Sequence, residues 1–173
     1  MIGNDIVDLN KANQDSNIFR PRYLEKVCSP EEIELVFSSS NAITTFWRIW
    51  TMKESVYKAF QRKFQFKTVF NPFAFVCQFE DSDSGKVSFK AHQLFTKTIQ
   101  TEEFIYSEVI NSRAKQRFFG SASDFLQKLK PELNLQSHPE LTKTREGLPV
   151  LNLPNKTLAI SKTHHGNFQA FQY

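Results

Sequence analysis

Apolar residues recur at helical spacing from Ala42 to Lys63, and no Pro or Gly interrupts the run. At about 100° per residue, Phe46, Ile49, Val56, Tyr57 and Phe60 fall on one side, the side that should pack. Lys53 falls in the middle of that apolar side. A lysine there must snorkel out or meet a partner, because an unpaired buried ammonium is costly. Trp47, Trp50, Thr51, Glu54, Lys58 and Gln61 share a neighbouring side, where Glu54 and Lys58, four apart, are surface neighbours beside two tryptophans.

The pattern predicts the other elements less strongly. Met1–Leu9 reads as a strand, an apolar run interrupted by Asp5, and Gly3 lets another backbone or a ligand come close. Residues 10–19 read as a loop or short helix. Ser29-Pro-Glu-Glu32 opens a helix that runs to Phe37, with Ser as N-cap, Pro in the first turn and acids behind it. Residues 38–41 are a loop before the long helix. Residues 73–79, 86–91, 94–100 and 103–110 then read as strands of an antiparallel meander, with 80–85 a hairpin turn. A helix over 121–129 is expected with Ser121 or Ser123 as cap, and 130–141 as a Pro-broken loop. Gly147–Leu151 opens two last strands that end at Phe171. Helices early and strands late give an α+β class.

With 173 residues, one domain with a sizeable core is expected, and 40% hydrophobic with 23% charged residues is ordinary for a globular chain. No apolar run approaches the ~20 residues of a membrane helix, and the first residues carry no basic or apolar leader pattern, so a cytoplasmic protein with no membrane partner is expected. Cys28 and Cys77 read as buried free thiols. The net charge of +4 suits phosphate-bearing ligands or acidic partners, and is too diffuse to announce nucleic acid.

Three pieces carry candidate chemistry: Asp5 in the first strand, the Lys53-Glu54-x-x-x-Lys58 array, and Ser161-Lys-Thr-His-His-Gly166. The array looks suited to anionic oxygens. In the last piece, Thr163, one imidazole and open backbone at Gly166 offer donors to phosphate. Adjacent His164 and His165 in a strand point to opposite faces and suit a single metal poorly. Walker, dinucleotide-binding and nucleophile-elbow glycine patterns are absent, as is a zinc-type Cys/His cluster. Asp5 with Glu54 could serve a hard cation such as Mg²⁺ if strand and helix meet.

Together these pieces resemble a known family. Ile2-Gly-Asn-Asp-Ile-Val-Asp-Leu9 resembles the Gly-x-Asp-Ile-Val-Glu-Ile start of the 4′-phosphopantetheinyl transferases. Trp50-Thr-Met-Lys-Glu-Ser-Val-Tyr-Lys-Ala59 looks like their Trp-x-x-Lys-Glu-(Ala/Ser)-x-x-Lys-Ala signature. Gly147-Leu-Pro149 and Ile160-Ser-Lys-Thr-His-His-Gly166 resemble the Gly-x-Pro and Ser-x-(Ser/Thr)-His elements. The likeness covers residues 1–79 and 145–173, with 80–144 matching less clearly.

The resemblance implies a 4′-phosphopantetheinyl transferase-like fold: an antiparallel sheet packed against a long central helix, a single unit with 80–144 as a β-rich elaboration. It implies transfer of the phosphopantetheine arm of coenzyme A to a serine of an apo acyl carrier protein or peptidyl carrier domain, in fatty-acid or secondary metabolism, with Mg²⁺ as cofactor. Asp5 and Glu54 would hold the metal, and Glu54 and Lys58 would be catalytic. Lys53, Lys58, Gly147, Pro149, Thr163 and His164 would hold coenzyme A. One copy of each motif implies a homo-oligomer, a trimer favoured, with a second subunit completing the site. Three departures stand out: Val7 where longer members carry a second acid, Leu148 where a Lys is common, and the added charge of Lys162. A non-catalytic coenzyme A or carrier-binding module, and a nucleic-acid binder, are the alternatives.

Overall fold

The computed structural model describes residues 1–65, 69–110, 116–137 and 139–173. Strand β1 (Asn4–Asp8) leads directly into helix α1 (Leu9–Asp15), which Asp8 caps by accepting from the Lys11 N–H at 3.0 Å. Helix α2 (Pro30–Ser38) begins with a capping box: Ser29 Oγ accepts from the Glu32 N–H and Glu32 Oε2 from the Ser29 N–H. Helix α3 (Ala42–Phe64) is capped by Asn41, carries Arg62 and Lys63 in its last turn, and ends on left-handed Gln65. Four strands follow, β2 (Val76–Phe79), β3 (Ser84–Phe89), β4 (His92–Gln100) and β5 (Phe104–Val109). Beyond them come β6 (Arg117–Phe119), α4 (Ala122–Glu132), β7 (Glu140–Lys143), β8 (Pro149–Leu153), β9 (Lys156–Ala159), β10 (Ser161–His165) and β11 (Phe168–Gln172). Among the described residues, no helix is long and apolar enough to cross a membrane.

The strands make three antiparallel sheets: β1-β5-β4-β3-β2, β10-β11-β6, and β7-β8-β9. Helix α3 packs on one face of the first sheet, and its stripe of Phe46, Ile49, Met52, Val56 and Phe60 is the centre of the main core. The opposite face, at Ile6 and Tyr106, is covered by Ala170 and Phe168 of the second sheet. A further cluster of Phe125, Leu129, Leu151, Ile160 and Phe171 holds α4 against the second and third sheets.

The meander over β2–β5 matches the sequence pattern, and three expectations need correction. Residues 84–109 are not an added layer: β3, β4 and β5 lie inside the same sheet as β1. Helix α4 runs through Pro131, because buried Phe125 and Leu129 anchor it and offset the one hydrogen bond that the missing N–H of Pro131 forfeits. The region after Gly147 forms four strands in two sheets rather than two strands, since turns at 154–155 and at Gly166 reverse the chain twice.

Two glycines set close approaches. A Cβ on Gly3 would overlap Ser55 O and lie 2.7 Å from Ala59 N, so the start of β1 lies directly on the α3 backbone. Gly166, with φ 53°, begins the two-residue β10–β11 turn, where a Cβ would overlap the Asp8 carboxylate. Gly3→Val should therefore lower stability by about 1–3 kcal/mol or more through overpacking, read as a fall in the urea midpoint. An unchanged midpoint would mean that β1 does not need this contact.

Candidate active site

Strand β1 is an edge strand, so its outward N–H groups need partners. Alternate side chains of β10 supply them. The Asn4 N–H donates to Ser161 Oγ at 3.1 Å, the Ile6 N–H to Thr163 Oγ1 at 3.3 Å and the Asp8 N–H to His165 Nδ1 at 3.0 Å. One residue earlier, the Gly3 N–H donates to Gln172 Oε1 at 2.8 Å. The period-two spacing of Ser161, Thr163 and His165 thus clamps residues of both chain ends together.

This clamp, with the Gly3 contact, brings Asp5 beside α3. Lys58 Nζ donates to Asp5 Oδ1 at 2.8 Å and to Asn4 O at 3.2 Å, and lies 3.9 Å from Glu54 Oε1. Thr163 Oγ1 also donates to Asp5 Oδ1, at 2.9 Å. Asp5, Glu54, Lys58 and Thr163 therefore form one group at the β1–α3–β10 junction. Asp5 and Thr163 are 6% and 4% exposed.

Next to Lys58 is a pocket of about 110 Å³ lined by Gln61, Arg62, the Gly147–Pro149 turn, Ser161 and Lys162. One chain supplies both walls. The sequence pattern missed Arg62, whose guanidinium donates to Pro149 O at 2.7 Å and Ile160 O at 2.5 Å and so fixes the far wall to α3. Its signal was its place one turn after Lys58. Lys162 Nζ lies over the Phe171 ring at 5.8 Å. Leu148 is buried. His164 is exposed on the face of β10 opposite Thr163.

Lys53 belongs elsewhere, a correction to its expected role in coenzyme A binding. It is 0% exposed and turned toward α2, where Nζ donates to Val27 O and pairs with Glu32 Oε2, both at 2.6 Å. Glu32 Oε1 also accepts from the Cys77 N–H at 2.6 Å, on the other edge of the large sheet. The ammonium is spent on burial, so it cannot also reach the pocket beside Lys58.

Burial, with the Asp5 carboxylate next, pushes Glu54 up to about 7, and Lys58 pulls the other way. One ammonium serves two carboxylates. Such an oxygen pair suits a hard divalent cation whose remaining positions are filled by water and phosphate oxygens. Among the described residues no three His, Cys, Asp or Glu side chains gather as a cage.

The sequence profile of the 4′-phosphopantetheinyl transferase superfamily matches residues 1–117, about two thirds of the chain, which belongs to that superfamily. The match includes Asp5, Glu54 and Lys58 and much of the 80–144 segment, and it ends before β8 and β10. No curated protein matches the chain. Membership supports a phosphopantetheinyl transferase role in general.

Two measurements check these assignments. Lys53→Met should cost about 3–5 kcal/mol, because it strands the Glu32 carboxylate, and Lys53→Met/Glu32→Gln should recover much of that. A single variant of wild-type stability with weakened coenzyme A binding would instead return Lys53 to the site. For Glu54, the folded chain keeps a proton between about 4.5 and 7 that the unfolded chain has released. Wild-type stability should therefore fall as pH rises through that window. Glu54→Gln lacks this titration, so its urea midpoint should gain on wild type from pH 4.5 to 7. A pH-independent difference would contradict the raised value.

Proposed function

We propose that this chain transfers the 4′-phosphopantetheine arm of coenzyme A to a serine of an apo acyl or peptidyl carrier protein. The observation that carries this reading is the meeting of Asp5 and Glu54 around Lys58, beside a pocket lined by Arg62, the Gly147–Pro149 turn and Ser161. Phosphoryl transfer is mostly positioning and charge stabilisation, and this arrangement supplies both.

The serine oxygen forms a bond to the phosphorus that bears pantetheine, and the bond from that phosphorus to the bridging oxygen breaks. Adenosine 3′,5′-bisphosphate leaves. Glu54 takes the serine proton, directly or through a water. Lys58 holds the pyrophosphate and gives a proton to the leaving oxygen. Asp5 and Glu54 would hold Mg²⁺, which when bound supplies charge neutralisation on the pyrophosphate. Gly147 and Pro149, with Arg62 behind them, shape the coenzyme A wall. His164 faces outward, where it can meet the part of coenzyme A outside the pocket.

Incubation with coenzyme A, Mg²⁺ and an apo carrier protein should add one phosphopantetheine mass to the carrier. Glu54→Gln should lower the rate at least about 100-fold with the fold intact. Coenzyme A binding without transfer to any of several carriers would favour a non-catalytic binding module instead.

A further inference from the structure

The hydroxyl of Thr163 has a single proton, and the structure shows where it goes. Oγ1 accepts from the Ile6 N–H and donates to Asp5 Oδ1. Both directions are in use, so Thr163 has no proton left to give to a phosphate. Ser161 differs. Its oxygen accepts from the Asn4 N–H, and among the described residues no acceptor takes its proton. It lines the pocket beside Lys58 and Lys162, whereas Thr163 does not.

The pattern at Asp5 has a direction. Thr163 and Lys58 both bind Oδ1. No hydrogen bond among the described residues reaches Oδ2. A short donor from β10, itself held by the β1 backbone, fixes the carboxylate plane from one side and leaves the second oxygen for another ligand.

We infer that Thr163 is a positioning residue for Asp5, orienting its carboxylate toward a divalent cation, rather than a contact to coenzyme A. The inference rests on the transferase reading above, which supplies the cation. Orienting partners of metal ligands typically alter affinity by about 10–100-fold when removed.

The test uses the full chain and reads binding, not turnover. Mn²⁺ affinity is measured by electron paramagnetic resonance with coenzyme A saturating, and coenzyme A affinity by calorimetry without a divalent cation. Thr163→Val should weaken Mn²⁺ binding about tenfold or more and leave cation-free coenzyme A affinity within about twofold, and Thr163→Ser should restore Mn²⁺ binding. In an Asp5→Asn background, Thr163→Val should cost nothing further. If Thr163→Val does not fold, Thr163→Cys, which keeps a weaker donor at the same position without the methyl, should shift Mn²⁺ affinity in the same direction by less. Wild-type Mn²⁺ affinity in the variant that folds overturns the inference alone, and so does a loss confined to coenzyme A. A wild-type chain that binds no Mn²⁺ overturns it together with its premise.

Discussion

Between Gly3 and the backbone of α3 there is no room for a side chain. That single close approach fixes the distance between strand and helix, and the candidate chemistry follows from it. Ser55 and Ala59 are small where the strand crosses, so the two backbones touch. Asp5, two residues along β1 on the same face, then comes within hydrogen-bond reach of Lys58, one residue before Ala59. Val7 follows on that face and enters the main core, which explains why an apolar residue stands in this position. The small residues of the helical motif and its charged residues are thus parts of one geometric solution. The small ones set the separation at which the charged ones can meet.

An edge strand beside a site needs its backbone satisfied without another strand intruding. Side chains perform that task at both edges of the five-stranded sheet. At β1, Ser161, Thr163 and His165 take three alternate N–H groups, and at β2, Glu32 takes the Cys77 N–H. Side-chain capping leaves β1 free to turn Asn4 O and the Asp5 carboxylate toward Lys58. A paired strand in place of β10 would have taken the same N–H groups but brought no hydroxyl to Asp5.

Local signals carried much of the fold. The helical period of 42–63, the Ser29 N-cap with Pro30 and two acids behind it, and the alternating runs of the meander depend on neighbours in sequence, and each appears in the structure close to its expected bounds. Of the candidate site, Asp5, Glu54 and Lys58 were legible as charges in the wrong company for a plain core or a plain surface. Pairings over long separations were not legible. Nothing local tells that 84–109 enters the sheet of β1, or that Arg62 reaches Pro149 and Ile160. Lys53 marks the boundary. Its place on the apolar side demanded a partner, and Glu32 was visible only as an acid in the first turn of α2, so only the fold shows the two together. Thr163 was legible as a donor, but the direction of its proton depends on Asp5, 158 positions away.

Lys53 and Lys58 are identical side chains five residues apart on one helix, and their surroundings divide them. Lys53 meets one carboxylate and one carbonyl in a dry site, and its charge is matched there. Lys58 faces two carboxylates in a partly wet one. There burial, and after it the Asp5 carboxylate, push Glu54 up to about 7, a gap that Lys58 does not close. Two things can close that gap: the proton itself or a further cation. Each displaces the other, because a cation at the pair lowers the value at which Glu54 ionises, and a protonated Glu54 offers a cation less. The protonation of Glu54 and the binding of a cation at the pair are therefore linked, and pH sets the balance between them.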